Sequence, residues 1–129
     1  MTMTRIEITS FGYLHAAPPA ARVTIDLRHH FRDPHVSPEL RHLTAHDQAV
    51  HDAVMATDGI EELVRATADM VTAYAAGPRQ DEPVTVAVGC AGGRHRAAAV
   101  SAELARRCAG RGLDVHLLHR DLDKDVVDR

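Results

Sequence analysis

A chain of 129 residues, 45% apolar and 26% charged, has the size of one ordinary domain that buries a core without disulfide or metal staples. No apolar run approaches the ~18 residues a membrane span requires, and a net charge of −3 gives no global attraction to nucleic acid. Two cysteines make no disulfide framework and no signal-peptide pattern opens the chain, so a reduced, cytoplasmic setting is expected.

Arg5 to Ser10 (RIEITS) alternates polar and apolar residues, a short strand that ends at the turn Phe11-Gly12. Arg22 to Arg28 (RVTIDLR) is a second strand, entered through Pro18-Pro19. Residues 29–44 hold two Pro and four His and read as a long irregular loop of the kind that carries function. A short helix is expected from about Asp47 to Ala56. The clearest helix covers 59–76, where Ile60, Leu63, Val64, Thr67, Met70, Val71 and Tyr74 form one apolar stripe. Asp58, three residues before Glu61, is its expected cap, and Gly77-Pro78 its stop.

Val84 to Val88 is nearly all β-branched, a third strand that belongs in the middle of a sheet. A helix over 94–109 buries Ala97, Val100, Leu104 and Cys108 and ends at Gly110; Leu113 to Leu118 is the fourth strand. From about Asp121 to Arg129 the chain reads as a charged tail. Strand, helix and strand with short links predict a parallel βαβ unit. The expected fold is therefore a single α/β domain over 1–129: a mainly parallel four-stranded sheet flanked by helices, with a phosphate-type loop between the third strand and its helix.

That loop lies in VAVGCAGGRHRAAAV, residues 86–100. Ligands of parallel α/β sheets sit beyond the carboxyl ends of the strands, where helix N-termini present unpaired N–H groups. Gly92 and Gly93 permit close approach, and Arg94 and Arg96 can add charge-assisted hydrogen bonds. Neither a Walker string nor the Gly-x-Gly-x-x-Gly dinucleotide pattern occurs. Cys90 and Arg96 do match Cys-x5-Arg, the signature of cysteine-dependent phosphatases, and a helix N-terminus beside two Arg would favour a nucleophilic thiolate at Cys90. Such enzymes usually carry His before the Cys and Ser or Thr after the Arg, where this chain has Gly89 and Ala97; only Asp26 and Asp33 offer a general acid. A binding loop without catalysis and a Cys90–Arg96 phosphatase both fit at this point.

A wider set of strings points to a family. Ser10-Phe11-Gly12-Tyr13 followed by His15, then Asp26-Leu27-Arg28, Asp33-Pro34-His35, Pro38-Glu39-Leu40-Arg41 with Leu43-Thr44 and Asp47, the loop from Val88 to Arg96, and His119-Arg120-Asp121-Leu122-Asp123-Lys124 resemble the C-terminal domain of RapZ-type RNase adapter proteins. The resemblance runs in order from about residue 5 to 124. It implies an α/β domain that binds glucosamine-6-phosphate, within an oligomeric protein that binds small regulatory RNA. It also implies a pocket built from Cys90, Ala91, Gly92, Gly93, Arg94, His95 and Arg96, lined by His15, Arg28 and His35, with Arg120 as a further contact.

The family usually has Lys-His-Gly at Leu14-His15-Ala16, Asn at Asp33, Thr at Ala91, Lys at Arg94 and often Ser at Ala97. Fewer hydroxyls in the loop imply that the sugar can differ. No Walker loop represents the family's N-terminal P-loop ATPase-like domain, so a stand-alone version is expected, and the acidic 123–129 segment disfavours RNA. His29, His30, His35, His42, His46 and His51 lack metal-site spacing; no metal or cofactor is expected, and Cys108 reads as a small buried hydrophobe.

Overall fold

The computed structural model describes residues 4–127. Strand β1 spans Arg5–Gly12 and β2 Val23–Asp26; a single 3-10 turn, Pro34–Val36, follows within the long loop. Helices α1, Gln48–Met55, and α2, Ile60–Ala75, precede β3, Val84–Cys90; helix α3, Arg96–Gly110, then leads to β4, Asp114–His119.

The sheet has the order β2-β3-β1-β4 and is parallel throughout, rather than mainly so. β1 lies between β3 and β4, so the connection through α3 steps over it. Helix α3 packs on β1, β3 and β4, and both α1 and α2 pack on α3. Ile6, Ile8, Val84, Val86 and Val88 therefore meet Val50, Val64, Ala97, Val100 and Leu104 in one core. Parallel sheets are usually apolar on both faces. Here Glu7, Thr9, Thr24 and Thr85 alternate with the core residues and none is buried, so the core is one-sided. The polar–apolar alternation of β1 carries that information.

Several boundaries differ from expectation for local reasons. β2 stops at Asp26, two residues early, because the Asp26 carboxylate accepts the Arg28 N–H and turns the chain. β3 continues through Gly89 and Cys90, which pair with Phe11 and Gly12. α3 begins at Arg96, not 94. Helix α2 is not capped by Asp58: Gly59 is its N-cap, at φ 88°, with no side-chain cap bond. Tyr74, at the end of the α2 stripe, is exposed. Asp121 and Leu122, expected in a charged tail, are buried against the sheet end; Asp128 and Arg129 lie outside the described residues.

Candidate functional site

The carboxyl ends of β1, β2 and β3 meet at the loop 89–96. Tyr13 and Leu14 donate their N–H groups to the carbonyls of Cys90 and Ala91, at 2.9 and 3.0 Å, and Leu27 donates to Gly89 at 2.8 Å. The backbones touch at Gly12 and Gly92: a Cβ on Gly12 would stand 2.4 Å from the Gly92 carbonyl carbon. Gly93 adopts φ 78°, and a Cβ there would crowd Gly12 N and the Asp121 side chain. Both positions exclude any larger residue. The Cys90 thiol is 3% exposed, and its Sγ accepts the Gly93 and Ala97 N–H groups at 3.3 and 3.4 Å.

The arginines are spent differently from the expectation that they face a phosphate. Arg96 is 2% exposed, and its Nη1 donates to the carbonyls of Leu27, Arg28 and Phe31 while Nη2 pairs with Asp33 at 3.1 Å. Arg94 donates to the carbonyls of His42 and Lys124. Arg120 donates to Gly12, Ala16 and Ala17 carbonyls and pairs with Asp121. Long irregular segments leave carbonyls that no ladder satisfies, and these guanidiniums satisfy them. Arg28 sits 3.6 Å over the Tyr13 ring and pairs with Asp26, whose carboxyl this contact holds below the usual range.

Among the described residues, His15 Nε2, Arg94 Nε and Arg96 Nε are buried without a hydrogen-bond partner. Each belongs to the loop or to the turn laid over it. His95 donates from Nε2 to the Leu43 carbonyl at 2.8 Å; burial pushes its pKa down, and Asp33, Arg94 and His35 lie close enough to act on it. The fold thus brings all the expected residues — Cys90 to Arg96, His15, Arg28, His35 and Arg120 — to one end of the sheet, with Arg28, Arg94, His95, Arg96 and Arg120 engaged internally.

Asp121 was missed. Its Oδ2 accepts the Gly12 N–H at 2.7 Å and pairs with Arg120, and Lys124 Nζ stands 2.7 Å from Oδ1. Burial alone would raise its carboxyl, but the bonds from Arg120, the Gly12 amide and Lys124 outweigh burial and hold the pKa at about 2. The neighbouring Ser10 hydroxyl and His119 Nδ1 are 2.6 Å apart, and burial lowers the His119 pKa. In the sequence Asp121 is an acid between Arg120 and the apolar Leu122, directly after a strand and within one of the strings that carry the family resemblance. Among the described residues no three His, Cys, Asp or Glu side chains group as a metal site, and no helix is long and apolar enough to cross a membrane.

Fold and site together define a parallel α/β domain with a Gly-rich loop between its most buried strand and a helix N-terminus, braced by the buried Arg96. The family model of the RapZ C-terminal domain matches residues 4–123, and the chain belongs to that family. Similar curated proteins include a "Nucleotide-binding protein" of Thermobifida fusca (strain YX), 37% identical over 126 residues, which cover 96% of this chain and 42% of the relative. Another "Nucleotide-binding protein", of Clavibacter michiganensis, is 39% identical over 124 residues, covering 94% of this chain and 42% of the relative. A third, of Bifidobacterium adolescentis, is 38% identical over 129 residues, 98% of this chain and 41% of the relative. The chain spans about two fifths of the length of these relatives.

Proposed function

We propose that this domain is a non-catalytic receptor for a phosphorylated small molecule, a sugar phosphate such as glucosamine-6-phosphate, at the loop 89–96. The observation that carries the reading is the set of buried, unpartnered nitrogens on His15, Arg94 and Arg96 around that loop. A buried polar group left unmatched costs about 1–3 kcal/mol, and an anion at the helix N-terminus would recover part of that cost. Family membership supports a binding or adapter domain, and the name borne by the relatives is compatible with a phosphorylated ligand.

A receptor is favoured over a Cys90 hydrolase by the use made of Arg96. In a Cys-x5-Arg phosphatase the guanidinium holds the phosphate; here its Nη atoms are bound to three carbonyls and Asp33. Cys90 in this reading shapes the loop by accepting two amides. A cytoplasmic setting and a role as an adapter belong to the same proposal, with RNA disfavoured by the net charge of −3.

The test is the thermal midpoint in sulfate or phosphate against chloride at equal ionic strength, followed by glucosamine-6-phosphate against glucosamine. Ligand at 100 times Kd stabilises by about 2.7 kcal/mol, so the phosphorylated compounds should raise the midpoint by several degrees. Equal midpoints in all of them would remove the reading.

A further inference from the structure

An arginine holds a carboxylate or a phosphate side-on when Nε and Nη2 donate together. In this chain Arg28 takes both oxygens of Asp26 in that way, and Arg79 both oxygens of Asp81. Arg96 makes half of such a bond. Its Nη2 stands 3.1 Å from Asp33 Oδ2, while its Nε is buried and has no hydrogen-bond partner. Nη1 is taken by the carbonyls of Leu27, Arg28 and Phe31. Asp33 is oriented locally: it caps the Pro34–Val36 turn, with Oδ1 accepting the His35 N–H at 3.0 Å, and turns Oδ2 toward the guanidinium. The Arg96 side chain is 3% exposed and that of Asp33 is 18% exposed. The guanidinium is therefore fixed by its carbonyls, and the carboxylate is the partner that can turn out to water.

From this geometry, and resting on the proposed receptor role of the loop 89–96, we infer that Asp33 is an internal competitor for the phosphate of the ligand. Arg96 opens α3 at the end of that loop. A phosphate there takes Nε and Nη2 together, making two charge-assisted bonds where Asp33 makes one, and displaces the carboxylate from Nη2. Two anions do not share one fork, because like charges within ~4–6 Å disfavour each other. Asp33 therefore has two opposed effects. It stabilises the unliganded domain by giving a buried guanidinium its counter-charge, and it lowers the affinity of the same site for phosphate. The carboxylate thus sets the ligand concentration to which the site responds.

The experiment measures stability and affinity on the same variants. Asp33→Asn keeps the shape and the cap acceptor but removes the charge. In phosphate-free buffer it should unfold at a lower temperature than wild type, because Arg96 loses its counter-charge. Its affinity for glucosamine-6-phosphate in a calorimetric titration should nevertheless rise about tenfold or more, with no such gain for glucosamine. Asp33→Ser, which also offers a cap acceptor, should show the same pair of changes. Asp81→Asn, at the separate Arg79 pair, should leave the affinity unchanged. A merely structural Asp33 would lower stability and affinity together. In wild type itself the Asp33 carboxyl carbon resonance should move as ligand saturates the loop. Equal or weaker binding by both Asp33 variants while wild type binds, or an unmoved Asp33 resonance at saturation, overturns this inference and leaves the receptor reading standing. No binding by wild type or by either Asp33 variant overturns both.

Discussion

Replacing Asp121 by Asn removes one negative charge from the point where the end of β1, the glycine loop and the segment after β4 are tied together. The carboxylate receives the Gly12 N–H at 2.7 Å, pairs with Arg120 and lies 2.7 Å from Lys124 Nζ. These bonds hold its pKa at about 2, against an ordinary value of 3.8. At about 1.4 kcal/mol per pKa unit, the charged form contributes on the order of 2 kcal/mol to folding. The sign follows from a depressed folded pKa. The contribution is complete above pH ~4, where the unfolded carboxyl is also ionised, and is lost as pH falls toward 2. Urea unfolding of wild type and Asp121→Asn, measured from pH 7 downward, should show a gap of about 2 kcal/mol at neutral pH that closes between pH 4 and 2. A gap below about 0.5 kcal/mol at pH 7, or one that does not narrow in acid, would refute this account of the clamp.

Arg96→Met should cost about 3–5 kcal/mol of stability in phosphate-free buffer, because Asp33 and three carbonyls lose a buried partner; near-wild-type unfolding would show the guanidinium to be free for a ligand. Gly12→Ala should unfold the domain or cost several kcal/mol, whereas Gly110→Ala, with nothing within 4 Å, should be neutral or stabilise by about 0.5 kcal/mol; similar midpoints for the two would contradict the close approach at Gly92. The protein should release no inorganic phosphate from an aryl phosphate, and Cys90→Ser should leave phosphosugar affinity within a few-fold; turnover abolished by Cys90→Ser would make the domain an enzyme.

Most of the scaffold was legible because it follows from local periodicity. The alternation in Arg5–Ser10 announced a strand, and the β-branched run at Val84–Val88 announced a central one. Gly92-Gly93 before a helix marked the place where two backbones touch, although its partner, Gly12, lies far away in sequence. What escaped depends on where long side chains turn. Arg94, Arg96 and Arg120 have the charge a phosphate needs, but carbonyls in residues 12–17 and 27–31 and those of His42 and Lys124 claimed their Nη atoms, a demand visible only after the irregular segments are placed. Asp121 read as the start of a solvated tail because nothing in a run of charges shows which one returns to the sheet. Likewise the insertion of β1 between β3 and β4 leaves no mark on the short links around α3.

Binding of a phosphorylated ligand at the loop 89–96, as proposed, is read most directly from amide chemical shifts, which report on that loop residue by residue. In a titration of the isotope-labelled domain with glucosamine-6-phosphate, the largest shifts should fall on Ala91 to Arg96 and on His15, saturate with added ligand, and be weaker or absent with glucosamine. Saturable shifts centred elsewhere, or none in this loop at millimolar ligand, would contradict it.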